Sequence, residues 1–178
     1  MRIAFVNTFY EPTIGGVEKV IQELAERYVK QGHQVEVFCC DSDKNVRLKK
    51  KFEIINGVKV YRSRYWFRLS LYTFFFPGLI GRLIWNKYDI VHSHVSAHDH
   101  VLFAGIIAAL KFRPHVHTTH CPWTDKFRPL AVRIPLWFAD NFLNYISFFF
   151  CDTVIAITPW EIPKLKRWVS EKKIVTLP

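Results

Sequence analysis

Two spacings of apolar residues alternate along this chain. Arg2-Ile-Ala-Phe-Val-Asn7 is a short, mostly apolar run of the kind buried in a parallel sheet. After a loop containing Pro12, Gly15 and Gly16, the apolar residues fall at Val17, Val20, Ile21, Leu24, Ala25 and Tyr28. That is the i, i+3, i+4, i+7 stripe of an amphipathic helix, with Glu23/Arg27 and Glu26/Lys30 paired on its outer face. Gly32 stands where a C-terminal cap belongs, and Val35-Glu-Val-Phe-Cys-Cys40 returns to strand composition. A strand, a helix and a strand joined this tightly make a right-handed parallel crossover.

From Asp41 the pattern turns polar, and the basic run Arg47-Leu-Lys-Lys-Lys51 predicts a solvated loop. Residues 52–61 then form two short strands around Asn56-Gly57, the dipeptide preferred by a type I′ hairpin turn. The aromatic and basic stretch Tyr65 to Tyr88 predicts one or two helices broken near Pro77-Gly78. Asp89-Ile-Val-His-Ser-His94 is another buried strand, and Val101 to Phe112 an apolar helix preceded by the capping pattern Ser96-x-x-Asp99. A strand at His115–His120, a helical stretch at Leu130–Phe150 and a strand at Thr153–Thr158 follow. Thr158, Pro159 and Glu161 then supply the start of a last helix. Such alternation predicts an α/β fold: a doubly wound, mostly parallel, Rossmann-like sheet with helices on both faces, in one domain over residues 1–178.

The 178 residues are half hydrophobic and 16% aromatic, which excludes a disordered chain. Leu69 to Gly81 has no formal charge but falls short of the roughly 18 to 20 residues needed to cross a bilayer. Ile134 to Cys151 is interrupted by Asp140, Asn141 and Asn144, so no spanning helix is expected there either. Cys39, Cys40, Cys121 and Cys151 show no C-x-x-C pair, and the N-terminus lacks a secretory pattern, so we expect cytoplasmic thiols. The 25 Lys and Arg against 15 Asp and Glu give a net charge of +10, which suits phosphorylated molecules or an acidic membrane face. The cations are scattered and no nucleic-acid-binding motif is present, so nucleic acid is not an expected partner.

In a doubly wound sheet ligands gather at the carboxyl ends of the strands. Gly15 and Gly16 lie at the exit of the first, where backbone can approach a ligand and a helix N-terminus favours an anion such as a phosphate; a plain turn is the other reading. They form neither a G-x-G-x-x-G nor a P-loop pattern. Seven of the eight histidines lie between His92 and His120. Strand periodicity puts His92 and His94 on one face, and His120 on the opposite parity from His115 and His117, so His94 and His120 are candidates for a shared crevice. Metal binding would need His98, His100, His120 and Cys121 to converge, at spacings that match no zinc motif, so no metal is expected. His120, followed by the irregular Cys121-Pro-Trp-Thr-Asp125, is the candidate acid, base or phosphate donor. Arg62, Arg64, Arg68 and Arg82, interleaved with aromatics, form either a membrane-facing or acceptor surface, or core aromatics with snorkelling cations.

Arg2-Ile-Ala-Phe-Val6, Gly15-Gly16-Val17-Glu18, Gly32-His33-Gln34-Val35, Asn56-Gly57-Val58-Lys59-Val60, Asp89-Ile-Val-His-Ser-His94, Thr118-Thr-His120 and Asp152-Thr-Val-Ile-Ala-Ile-Thr158 resemble, in that order, the N-terminal half of family 4 (group 1) glycosyltransferases of the GT-B fold. The resemblance implies a retaining transferase that moves a sugar from a nucleotide-sugar donor to a sugar or lipid-linked acceptor, with no cofactor and no obligatory metal. It places Gly15 and Gly16 near the donor diphosphate, His120 as the active-site histidine, and His94 as a wall of the cleft. Family members continue into a donor-binding C-terminal half, absent here, so this chain is expected to be inactive alone. It would be an excised domain, a shortened reading frame or a subunit completed by another chain. The alternative is a non-catalytic module that binds a phosphorylated sugar, a lipid phosphate or a partner domain. A cytoplasmic location, peripheral to the inner membrane face, completes the expectation.

Overall fold

The computed structural model describes residues 1–70, 73–120 and 129–177. Its frame is an eight-stranded sheet. The strands are β1 (Arg2–Val6), β2 (Gln34–Cys40), β3 (Phe52–Ile55), β4 (Val58–Ser63), β5 (Ile90–His94), β6 (His115–Thr118), β7 (Thr153–Ala156) and β8 (Ile174–Thr176), in the order β8-β7-β6-β5-β1-β2-β4-β3. Every neighbouring pair is parallel except β3 and β4, the predicted hairpin. Asn56 (φ +50°) and Gly57 (φ +84°) form its turn in the left-handed conformation that this dipeptide tolerates.

Helices cover both faces. Helix α1 (Gly16–Lys30) buries Ile21 and Ala25 in a cluster with Ile3, Phe5, Val35, Val37, Val58 and Val60. On the other face α2 (Gly78–Trp85) and α3 (Asp99–Leu110) enclose Ala4, Val6, Phe38 and Val91. Phe5 has no exposed surface, and burying a side chain of that size contributes about 1.5–3 kcal/mol. Gly105 lets α3 approach β6, because a Cβ there would stand 2.8 Å from Phe150 Cβ and 3.0 Å from His115 Nδ1. Helix α4 (Leu130–Phe138), a π-helical segment (Ala139–Leu143) and α5 (Asn144–Phe149) lead to β7, and the four-residue α6 (Ile162–Leu165) follows it.

Several local expectations need correction. The described residues of 65–76 are not helical: Phe67–Arg68 and Phe74–Phe75 pair as short antiparallel strands, and α2 follows. Phe67 stacks on Phe75 (5.1 Å) and Trp66 meets Phe75 edge-on (5.8 Å), cross-strand contacts that favour a hairpin over a helix. Nor is the 41–51 segment merely solvated. Asp41 has no exposed surface; it accepts the Tyr65 N–H at 3.0 Å and pairs with Arg47 and Lys51. Ser96 does not cap α3, whose N-cap is His98, and Thr158 does not cap a helix through its side chain. The Thr158 hydroxyl instead donates to Glu161 Oε1 at 3.0 Å, and Thr119 donates to the same buried carboxylate.

Candidate functional site

The first crossover carries the chain from β1 to β2 on one side, and the later strands return to β5 on the other. The carboxyl ends of β1 and β5 therefore border the crevice where strand order reverses, the usual ligand position in such sheets. Register places His94 opposite Thr118 and Ser93 opposite His117. His92, His94 and Thr118 consequently share the α1 face, with Phe5 of β1 in contact with both histidine rings (5.2 and 5.6 Å).

Just past β6 the chain turns at His120 (φ +45°), a left-handed backbone that brings its ring back toward β5. His94 Nδ1 and His120 Nε2 are 2.9 Å apart, so the structure brings together the two histidines that strand parity assigned to one crevice. His94 is fully buried, and its Nε2 has no hydrogen-bond partner among the described residues. A bare buried acceptor costs less than an orphaned buried N–H. His94 therefore carries its proton on Nδ1 and donates it to His120 Nε2, which leaves His120 with an Nδ1–H. Burial pushes the His120 pKa down to about 4, so at neutral pH the ring is an uncharged donor. Burial, reinforced by His92 and His120, holds His94 far below the ordinary histidine range. The His100 Nε2–H donates to His94 O at 2.9 Å and fixes the backbone of the pair.

Gly15 and Gly16 lie at the N-terminus of α1, on this carboxyl edge, and Lys44 donates to Ile14 O at 3.2 Å beside them. Gly15 is extended, and a Cβ on it would fall 2.1 Å from Glu18 Oε2; the Glu18 carboxylate leans over the helix end, where an anion would sit. Gly16 has open space around it. The sequence reading picked the segment leaving β1 for its glycines and did not single out its polar side chains. Asn7, Thr8, Tyr10 and Thr13 are all buried, and each keeps a side-chain oxygen without a partner among the described residues. Their only signal in sequence is a run of polar residues directly after a buried strand.

The loop Cys121–Asp125 lies outside the described residues, as does Tyr72. Among the described residues no group of three or more His, Cys, Asp or Glu is placed to hold a metal ion. Arg62 is a core residue paired with Glu53, whereas the half-buried Arg82 lies over the half-buried Tyr61 ring at 4.9 Å.

The profile of Glycosyltransferase Family 4 matches residues 14–178. An uncharacterized glycosyltransferase of Methanocaldococcus jannaschii is 36% identical over 101 residues, 53% of this chain and 25% of the relative. The GPI3 subunit of the Saccharomyces cerevisiae phosphatidylinositol N-acetylglucosaminyltransferase is 32% identical over 111 residues, 57% of this chain and 24% of its own length. The chain thus covers about a quarter of these curated relatives. Among solved structures, Anabaena Alr3699/HepE in complex with UDP and glucose superposes with a TM-score of 0.62 over 99% of this chain and 44% of its own, at 17% identity. The UDP-GlcNAc 2-epimerase of M. jannaschii gives 0.52 over 99% and 45%, at 12% identity. These structural likenesses establish a shared fold.

Proposed function

From the premise that the chain belongs to glycosyltransferase family 4, we propose that it is the acceptor-side half of a retaining enzyme that transfers a sugar from a nucleotide-sugar donor. The observation that carries the proposal is the His94–His120 pair at the switch point of the sheet. Its chemistry is that of a preorganised neutral donor. The Nδ1–H of His120 hydrogen-bonds a hydroxyl of the transferred sugar or of its acceptor, and His94 holds the tautomer in place. With Nε2 engaged by His94 and burial holding the ring's pKa down to about 4, His120 is a weak base and is better suited to donating a hydrogen bond. The positive end of α1 at Gly15 and Gly16 receives the diphosphate, and the Glu18 carboxylate swings aside to admit it. The proposal needs a donor-binding half and assigns no metal.

A nucleotide-sugar donor is supported by the Anabaena neighbour, whose structure holds UDP and glucose. A lipid-linked acceptor is supported by the yeast relative, a subunit of a transferase named for phosphatidylinositol. With such an acceptor, the protein works at the cytoplasmic membrane face.

The test is a panel of nucleotide-sugars given to the full-length protein with membrane extract, reading nucleoside diphosphate release. One donor is expected to turn over, and His120→Ala to slow it by about a hundredfold with its unfolding midpoint nearly unchanged. Absence of turnover with every donor, together with saturable binding of a sugar phosphate, would replace the proposal by a non-catalytic binding module.

A further inference from the structure

The helical stretch from Leu130 to Phe149 has its polarity reversed. Its protein-facing side is partly polar: Asn144 and Ser147 are buried, and Asp140 binds Lys164 Nζ at 2.9 Å and Asn144 Nδ2 at 3.3 Å. Its outer side is apolar: Leu130, Ile134, Trp137, Phe142, Tyr145 and Phe149 are each more than half exposed. An α-helix advances about 100° per residue, so this stripe would drift out of line over five turns. The π-helical segment Ala139–Leu143 inserts about one extra residue and brings the stripe back into register on the outer face.

We propose that this outer face is a docking surface for an anionic lipid bilayer. Trp and Tyr within an apolar stripe suit the headgroup boundary, where a ring is half in hydrocarbon and half in water. No helix among the described residues is long and apolar enough to cross a membrane, so the helix lies in the interface. Cations rim the stripe. Arg133 is exposed near its start, and at its end Phe149 shares a groove of about 520 Å³ with Arg113, Lys173 and the almost fully exposed Phe112. Among the described residues Asp152 is the one acidic residue lining that groove, against Arg113 and Lys173, and the chain as a whole carries +10, so acidic lipid is the charge complement. A second copy on the same face would set like charges against each other.

The docked helix also fixes the crevice. The Ala97 N–H donates to Asn144 Oδ1 at 2.6 Å, three residues beyond His94, so a bilayer seated on the outer face stands at a set distance from the histidine pair. The docking stands independently of the transferase reading.

The experiment is cosedimentation of the full-length protein with vesicles of phosphatidylcholine, with and without phosphatidylglycerol. Binding is expected only with the anionic lipid, and weaker at high salt. Trp137→Ser combined with Phe142→Ser should weaken it at least about tenfold. Arg113→Glu with Arg133→Glu should weaken it several-fold and flatten its salt dependence. Ile54→Ser, equally exposed on the opposite edge strand, should leave it unchanged and guards against a general solubility effect. Equal binding to neutral vesicles, no binding, full binding by the Trp137/Phe142 variant, or a dimer that this variant converts to monomer would each overturn the proposal. Vesicle binding without sugar transfer would leave it standing and count only against the enzyme.

Discussion

Strands β5 and β6 carry histidines on both faces of the sheet, and the two sets do different work. On the α3 and α5 side the rings are saturated. His115 Nδ1–H donates to Phe150 O at 3.3 Å, and its Nε2 is 2.8 Å from Ser93 Oγ. Ser93 Oγ is in turn 2.9 Å from His117 Nδ1, and His117 Nε2 is 2.9 Å from Ser96 Oγ. A single direction of donation satisfies this chain, from Ser96 to His117 to Ser93 to His115 to the Phe150 carbonyl. On the α1 side the corresponding chain ends at His120, whose remaining N–H has no partner among the described residues. A network that closes on itself holds strands together, whereas one that ends in a spare donor at a strand exit is available to a ligand.

Acid is the harshest way to break this comparison. Burial lowers the pKa of His92 and His98 to about 3, and of His100, His115 and His120 to about 4. The unfolded chain, with histidines near 6.5, therefore binds more protons than the folded one between pH 6.5 and these values. Stability is complete above about pH 6.5 and falls as pH drops toward 4, by up to about 1.4 kcal/mol per pH unit for each ring. Chemical denaturation at stepped pH should show that loss; a flat profile from pH 7 to 4.5 would mean that the rings are not buried as described.

The next largest effect separates the faces. His117→Ala leaves two buried serine hydroxyls and a void in the closed network, and should cost about 2–4 kcal/mol in a urea titration. His120→Ala removes only the open end and should cost about 1 kcal/mol or less, while slowing transfer about a hundredfold. Equal losses from the two substitutions would erase the distinction.

Much of this was legible in the chain. Period-2 alternation put His94 and His120 together, because register in a parallel sheet follows from buried apolar runs. Asn56-Gly57 set the hairpin, since few other dipeptides accept two left-handed residues. The strand pair at 67–75 was not legible, because its aromatics suit a helix face as well as a cross-strand pair, and tertiary contacts decide between them. The capping patterns at Ser96 and Thr158 misled for a related reason. The Ser96 hydroxyl bonds His117, which only the fold brings near, and the Thr158 hydroxyl bonds the Glu161 side chain three residues on instead of the backbone N–H that a cap would take. The burial of Arg62 was equally hidden, since it depends on Glu53 across the hairpin.

The most direct test of the two-face account is the imidazole ¹⁵N–¹H spectrum of the full-length protein, recorded during titration with UDP-glucose, UDP-N-acetylglucosamine and GDP-mannose. The account predicts a neutral His120 protonated on Nδ1, whose resonance alone among the buried histidines moves strongly with one of the three, while His115 and His117 stay in place. A His120 protonated on Nε2, or shifts confined to the His115–His117 face, would contradict it.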